Sequence, residues 1–312
     1  MLSSTKAVVN ALLVVFFLTM VIFSPNIIDF AYFTFLFYFL WKLKLLWYLL
    51  LSIFLFYNYI GDDFMLIDTH LHLVLEDYDI DEVIANAEEN GVKYLILGSS
   101  SVDDNKLNID LASRYNNVFT TIGYHPSEAS LISDRDLSFL KSAVENEKVV
   151  GIGEIGLDYH YGDEDRDLQI SLFRKQLDIA QEYDVPVVIH TRDAFLDTYN
   201  ILKEYKLRGV IHCFSGSLET AKMYMSLGYY LGIGGVVMFK NSKLKDVIRE
   251  IGISKVVFET DSPYLSPFRG EKNEPSNVRY ICDFVADLLD MSSSEVEKIT
   301  SSNATVLFDL RI

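Results

Sequence analysis

"MLIDTHLHL" occupies residues 65 to 73. An apolar run passes through an aspartate into a His-x-His pair, directly after 64 residues that are almost free of charge. Residues two apart in an extended segment point the same way. His70 and His72 can therefore reach one point in space. Imidazole pairs, joined by carboxylates, suit Zn²⁺, Mn²⁺ and similar divalent ions.

Downstream of this stretch the pattern is regular. Short apolar runs recur at 92–98, 118–123, 149–153, 186–191, 209–214, 229–234 and 255–260. Most are apolar on both faces, as expected for parallel strands covered by helices. Amphipathic segments lie between them. "DIDEVIANAEEN" (79–90) has a capping aspartate and stops at Gly91. "DEDRDLQISLFRKQLDIAQEYD" (163–184) repeats the scheme, and "SSSEVEKITSSNATVLFD" (292–309) closes the chain. Eight strand–helix units in about 250 residues predict an α/β fold, a (β/α)8 TIM barrel. An open doubly wound sheet is the alternative, but it normally has fewer strands, and the sequence carries no GxGxxG or GxxxxGK[ST] phosphate loop.

All six histidines lie beyond residue 64. His70 and His72 follow strand 1 (65–69), His125 follows strand 3, and His190 and His212 lie near the ends of strands 5 and 6. Glu154 falls at the end of strand 4 and Asp261 just past strand 8. Strand C-termini of a barrel converge on one face, where active sites sit. Four histidines and two acids at one rim predict a metal site. Asp68 is read as orienting a ligand histidine or, equally, as a strand-end cap. His125 is read as lining the substrate pocket or as a turn histidine held by Pro126. His160 reads as a loop residue, and Cys213, alternating to the other strand face, as buried and inert.

Residues 1–64 hold both tryptophans and only six charges, which cancel, so the net charge of −17 belongs to residues 65–312. Apolar runs at 7–24, 27–41 and 45–57 read as membrane-like segments. No small-residue cleavage site marks a signal peptide. Two origins stay open: a genuine anchor, which would tether the protein to a membrane, or translation upstream of a start at Met65. The unequal runs and Phe/Leu/Tyr/Ile richness favour the second, and with it a cytoplasmic protein. Two cysteines, Cys213 and Cys282, give neither a disulfide framework nor a CxxC site, consistent with a reducing compartment. The acidic balance argues against a basic groove gripping nucleic acid by counterion release. It leaves open a nucleic-acid substrate, because divalent ions bring their own positive charge.

"DTHLHL", "GEIGLDYHY", "VVIHTRDA", "IHCFSGS" and "ETDSPYLSPFRGEKNEPSNV" resemble, in order and with the expected gaps, the TatD family of metal-dependent hydrolases in the amidohydrolase-like group of barrels. The resemblance covers 65–312. It implies two divalent metal ions (Mg²⁺, Mn²⁺ or Zn²⁺), with Glu154 bridging them. His70, His72 and Asp261 would complete one site, and His190 and His212 the other. It further implies a DNase, often a 3′→5′ exonuclease on single-stranded or damaged DNA, with no stable protein partner. Asp261 would ligate and also accept the proton of the attacking water. Arg269, in the Gly/Pro-punctuated loop after strand 8, is expected to contact a phosphodiester oxygen, with Lys272 a weaker possibility. His160 departs from the aromatic more often found after "GLDY". Many barrels of the wider group bridge their metals with a carboxylated lysine where this chain has Glu154. Three alternatives remain at this stage: a D-aminoacyl-tRNA deacylase, another ester or amide hydrolase, and a membrane-tethered barrel with structural metals. Six candidate ligands fit catalysis better than a closed structural site of four.

Overall fold

A computed structural model describes residues 65–73, 79–162 and 165–312. The hydrophobic extension, and with it the readings of an anchor or a later start, lies outside the described residues. No helix among the described residues is long and apolar enough to cross a membrane.

Eight strands pair in parallel in the order β1 to β8. They are β1 Leu66–Leu71, β2 Val92–Leu97, β3 Val118–Ile122, β4 Val149–Asp158, β5 Val187–Arg192, β6 Gly209–Ile211, β7 Tyr230–Ile233 and β8 Val256–Phe258. The seam between β8 and β1 is tied by side chains and by the backbone just past β8. Thr69 Oγ1 donates to Phe258 O. Asp261 N donates to His70 O and His72 N to Ser262 O, at 2.9 and 2.8 Å. The fold is the TIM barrel that the alternation of elements predicts.

The helices start and stop for local reasons. Helix α1, Ile80–Glu89, begins where the Asp79 carboxylate accepts from Glu82 N. It ends before Gly91, whose φ of +81° only glycine adopts at little cost. α2 is Val102–Arg114, capped by Ser101, and α3, α5, α6, α7 and α8 are Asp134–Ala143, Phe195–Leu202, Leu218–Ser226, Leu244–Ile251 and Val278–Leu288. α4, Arg166–Tyr183, starts inside the span read from sequence and ends on Asp184 in the left-handed region. The last helix, α9, Ser293–Phe308, opens with a capping box between Ser292 and Glu295.

Two apolar layers result. The larger packs the outer strand faces (Leu66, Leu95, Leu97, Leu231) against helix residues such as Phe173, Leu177 and Val285. The smaller takes an inward residue from every strand: Ile67, Ile96, Val188, Val210, Tyr230 and Val257, with Tyr94, Phe119 and Val150 beside them. Ala304, Leu307, Phe308 and Leu310 belong to the same cluster, so the end of α9 plugs the N-terminal opening of the barrel. At about 1.5–3 kcal/mol per fully buried aliphatic or aromatic side chain, this plug is a substantial part of the stability.

Several boundaries differ from the sequence reading, and four matter for the site. β1 runs on to Leu71, so His70 lies within it, and β8 stops at Phe258, short of Glu259. β4 runs on to Asp158, paired with Arg192 of β5, so Glu154 lies within a strand and not at its end. β6 stops at Ile211, and His212 is the first residue beyond it.

Candidate metal centre

The inward positions of β5, β6 and β8 continue upward in steps of two. Val188 leads to His190, Val210 to His212 and Val257 to Glu259, whereas on β4 Ile152 pairs with Ile122 and Val187 of the outer layer and Glu154 reaches the mouth across a register break. The pattern that fills the lower lumen with apolar side chains thus fills the mouth with imidazoles and carboxylates. Register irregularities fall between Asp68 and Leu71 on β1 and between Ile152 and Ile155 on β4. They flank His70 and Glu154, and such breaks re-aim side chains beside functional sites. Gly98 on the mouth of β2 leaves the space that the His70 ring fills; a Cβ there would stand 2.3 Å from His70 Cε1.

Glu154 is the hub. Its Oε2 faces His70 Nε2 at 3.5 Å and His72 Nε2 at 3.9 Å. Its Oε1 faces His190 Nδ1 at 2.6 Å and His212 Nε2 at 3.8 Å. Asp261 Oδ1 closes the ring, 3.5 Å from His72, 3.9 Å from His70 and 3.8 Å from His212. Asp261 has φ +56°, a left-handed conformation that aspartate tolerates better than most residues. All six side chains expected to converge from sequence do so. His125 sits at the edge, its Nε2 4.0 Å from Glu154 Oε1 and its ring 4.5 Å from that of His190.

The donor set fits a divalent cation. The Nε2 atoms of His70 and His72 lie 3.2 Å apart and face the same two carboxylates. Two neutral imidazoles meeting through bare nitrogens repel unless a proton or a cation lies between them. His70 Nδ1 is buried with no hydrogen-bond partner among the described residues, so Nε2 is its one engaged nitrogen. Ligand-atom groups of metal-binding size recur around Glu154, as His70–His72–Glu154, His70–His212–Asp261 and Glu154–His190–His212.

The electrostatics follow from burial and mutual contact. Burial opposes ionisation of Glu154, but His212, His190 and His70 outweigh it and hold its carboxyl well below the usual range. Asp261 is lowered in the same way, burial being overcome by His72 and His212. Burial lowers His70, whereas His72 is raised because Asp261 more than offsets burial. Burial also opposes protonation of His190 and His212, yet Asp158 and Glu154 raise the first to about 9, and Glu259 and Glu154 raise the second to about 10. His125, desolvated and with little compensation, falls to about 4.

A pH dependence follows. Before a cation binds, His190 and His212 both carry protons at pH 7, and a cation must displace them. The apparent affinity for Mn²⁺ should therefore rise steeply between pH 6 and pH 8. Calorimetric titration in buffers of different ionisation enthalpy should show proton release on binding. The stability of the cation-free chain runs the other way: a raised imidazole pKa stabilises fully below about 6.5 and ceases to do so as pH climbs through 9 to 10. Affinity that is flat with pH, with no proton release, contradicts this assignment.

Two carboxylates that the motifs did not flag complete the surroundings. Asp158 Oδ2 lies 3.2 Å from His190 Nε2. Glu259, fully buried, places Oε1 3.1 Å from His212 Nδ1, close enough for an ion pair but out of line for a hydrogen bond. The step-of-two continuation from Val257 was the signal for Glu259. Asp158 became visible only once β4 was seen to extend past Glu154. Asp68 accepts from Thr260 N and Oγ1 and from His70 N, so it clamps backbone on both sides of the seam and does not touch a ligand ring. Cys213 does not alternate to the other strand face: it lies beyond β6 with φ +48°, is only half-buried, and its sulfur stands within 4.8 Å of ligand atoms of His212 and Glu259, while burial and then Asp261 and Glu259 push its thiol pKa well up. His160 pairs with Asp193 at the surface. Arg269 is exposed and does not line the cleft beside the centre.

A parallel barrel whose C-terminal mouth gathers imidazoles around shared carboxylates has the build of a metal-dependent hydrolase. A sequence model of the TatD related DNase family matches residues 67–309. The chain is 40% identical over 252 residues to the uncharacterized metal-dependent hydrolase YabD of Bacillus subtilis, covering 78% of this chain and 99% of that one. It is 35% identical over 256 residues to YcfH of Escherichia coli K12, likewise an uncharacterized metal-dependent hydrolase, with 78% and 96% covered. The crystal structure of the E. coli TatD homologue YjjV superposes with a TM-score of 0.73 at 30% identity, covering 78% of this chain and 98% of that one. The chain belongs to the TatD family and is a metal-dependent hydrolase.

Proposed function

We propose that the protein is a deoxyribonuclease that hydrolyses phosphodiester bonds from the 3′ end of single-stranded DNA, using two divalent cations shared by Glu154. The observation that carries this reading is the division of one carboxylate between two pairs of imidazoles, Oε2 toward His70 and His72 and Oε1 toward His190 and His212. The family name points to DNA. His70, His72, Glu154 and Asp261 would hold one cation, and Glu154, His190 and His212 the other. When bound, such cations supply Lewis-acid polarisation of a phosphoryl oxygen and lower the pKa of water from 15.7 toward about 7.

The chain's own residues do the rest. Asp261, held in its ionised form, accepts a proton at the mouth. Glu154 keeps the two histidine pairs at a fixed separation. His125, neutral at physiological pH, borders the cleft without adding charge. Arg269 stays a proposal for a more distant phosphate, since it stands outside the cleft.

A second reading has one specific observation behind it. The cleft carries the Asp104 carboxylate and no lysine or arginine among its described lining, which would suit the ammonium of an aminoacyl ester. The test sets the two side by side. Purified full-length protein, stripped with EDTA and reloaded with Mg²⁺, Mn²⁺ or Zn²⁺ in turn, is given fluorescein-labelled single-stranded DNA and D-aminoacyl-tRNA. Cleavage of DNA should vanish with EDTA and return with at least one of the metals. Deacylation without DNA cleavage under every metal would overturn the nuclease reading.

A further inference from the structure

Beside the metal centre a cleft of about 490 Å³ opens over the ends of β1, β2 and β3. This is the size of a site for one small ligand. Its floor is His72, His125 and Glu154, and its walls include Leu73, Leu107 and Tyr264. Tyr264 is 58% exposed, and its ring stands 6.2 Å from that of His72. The backbone beneath that ring is fixed. Tyr264 N donates to Asp261 O at 2.9 Å, and the buried Asn273 side chain donates to Tyr264 O at 2.6 Å. The result is a rigidly based aromatic face, open on one side, next to the reacting centre. Aromatic faces of this kind stack nucleobases regardless of sequence.

The far wall is polar. Asp104, in the first turn of α2, accepts from Ser100 Oγ at 2.6 Å and so presents its carboxylate at a set position, with Ser127 nearby. No lysine or arginine lines the cleft among the described residues. A pocket with an aromatic wall, apolar leucines and, besides Glu154 of the metal centre, the Asp104 carboxylate accepts a flat ring and a hydroxyl donor. It rejects a second phosphate, because like charges brought together are strongly unfavourable.

We infer that this cleft binds the terminal nucleoside of the substrate strand, with Tyr264 against the base and Asp104 receiving the free 3′-hydroxyl. The enzyme therefore selects strands that end in a hydroxyl over strands that end in a phosphate. This rests on the nuclease reading above and narrows it to one kind of end.

The test uses full-length protein with Mn²⁺ and oligonucleotides identical except for a 3′-hydroxyl or a 3′-phosphate, with a matched pair differing at the 5′ end. The 3′-hydroxyl strand should be cut with kcat/KM on the order of 100-fold higher, the scale that like-charge contact implies. Asp104→Asn should shrink that ratio to a few-fold. Tyr264→Leu should raise KM more than it lowers kcat, and Tyr264→Phe should be affected less than Tyr264→Leu. A readout independent of turnover is 2-aminopurine placed at the 3′ terminus. Its fluorescence should be quenched on binding to EDTA-treated protein and recover with Tyr264→Leu. Equal cutting of both 3′ ends, discrimination at the 5′ end instead, or a ratio untouched by Asp104→Asn overturns the assignment of the cleft while leaving the nuclease reading intact. Failure to cut any strand overturns the nuclease reading and takes this one with it.

Discussion

Glu154→Ala will lower kcat/KM for hydrolysis by at least about 10³-fold and leave the barrel folded. Glu154 is the residue that touches both histidine pairs, with separate oxygens. Without it, His70 and His72 face only Asp261, and His190 loses its 2.6 Å partner. Electrostatic stabilisation by a well-held cation is worth several kcal/mol in the transition state. A loss of about 4 kcal/mol corresponds to about 10³ in rate. Folding should survive because the substitution removes a buried charge and no apolar packing. Circular dichroism should match the parent, while the melt of the cation-free protein should fall, because buried His190 and His212 lose a carboxylate that holds their protons. Glu154→Gln keeps the shape and one acceptor oxygen but not the charge, and should also be strongly impaired. Wild-type hydrolysis by Glu154→Ala would show that the shared carboxylate is not the organising group.

Asp68→Ala will have the largest effect on stability, about 3–5 kcal/mol, with activity lost alongside. Asp68 has no exposed surface. It accepts from Thr260 N at 2.9 Å, Thr260 Oγ1 at 2.5 Å and His70 N at 3.3 Å. Alanine leaves those buried donors without an acceptor, at about 1–3 kcal/mol each when nothing replaces it. For a domain of this size the melting temperature should fall by about 10 °C. Burial pushes the Asp68 carboxyl well above the usual range, with the Thr260 donors only partly opposing this, so a neutral replacement is informative. Asp68→Asn retains an acceptor and has no charge to desolvate. It should lose less than half as much. Melts of the two variants decide the matter: an alanine variant as stable as the asparagine one would mean that the clamp contributes nothing.

The architecture and the six converging side chains were legible because the barrel repeats one rule. Apolar runs mark strands, and on β5, β6 and β8 the inward parity carries straight up into the mouth. The histidine pair on β1 and the single histidines on β5 and β6 stand out because histidine is otherwise scarce in this chain. Glu259 was legible only through the step of two from Val257, and Asp158 was not legible. Acids are abundant here, and an acid next to a motif aspartate reads as part of that motif. Telling inward from outward also required the true ends of β4 and β8. Arg269 shows the limit of loop composition: that composition favours phosphate contact, but where a long loop places a side chain is a matter of tertiary packing, and Arg269 stands outside the cleft. Asp68 stands out in the sequence, yet its partner is backbone 192 residues away, a relation that no local pattern encodes.

The seam between β1 and β8 carries a consequence for biosynthesis. His70 and His72 emerge from the ribosome early in the segment, whereas Asp261 and its flanking residues, which dock on β1, emerge near the end. The hydrophobic stopper made by Leu307, Phe308 and Leu310 comes later still. Contacts so distant along the chain form slowly. A nascent or truncated polypeptide holds the early ligands without the late ones, so the full set of six side chains comes together only once Asp261 has been made and has docked on β1.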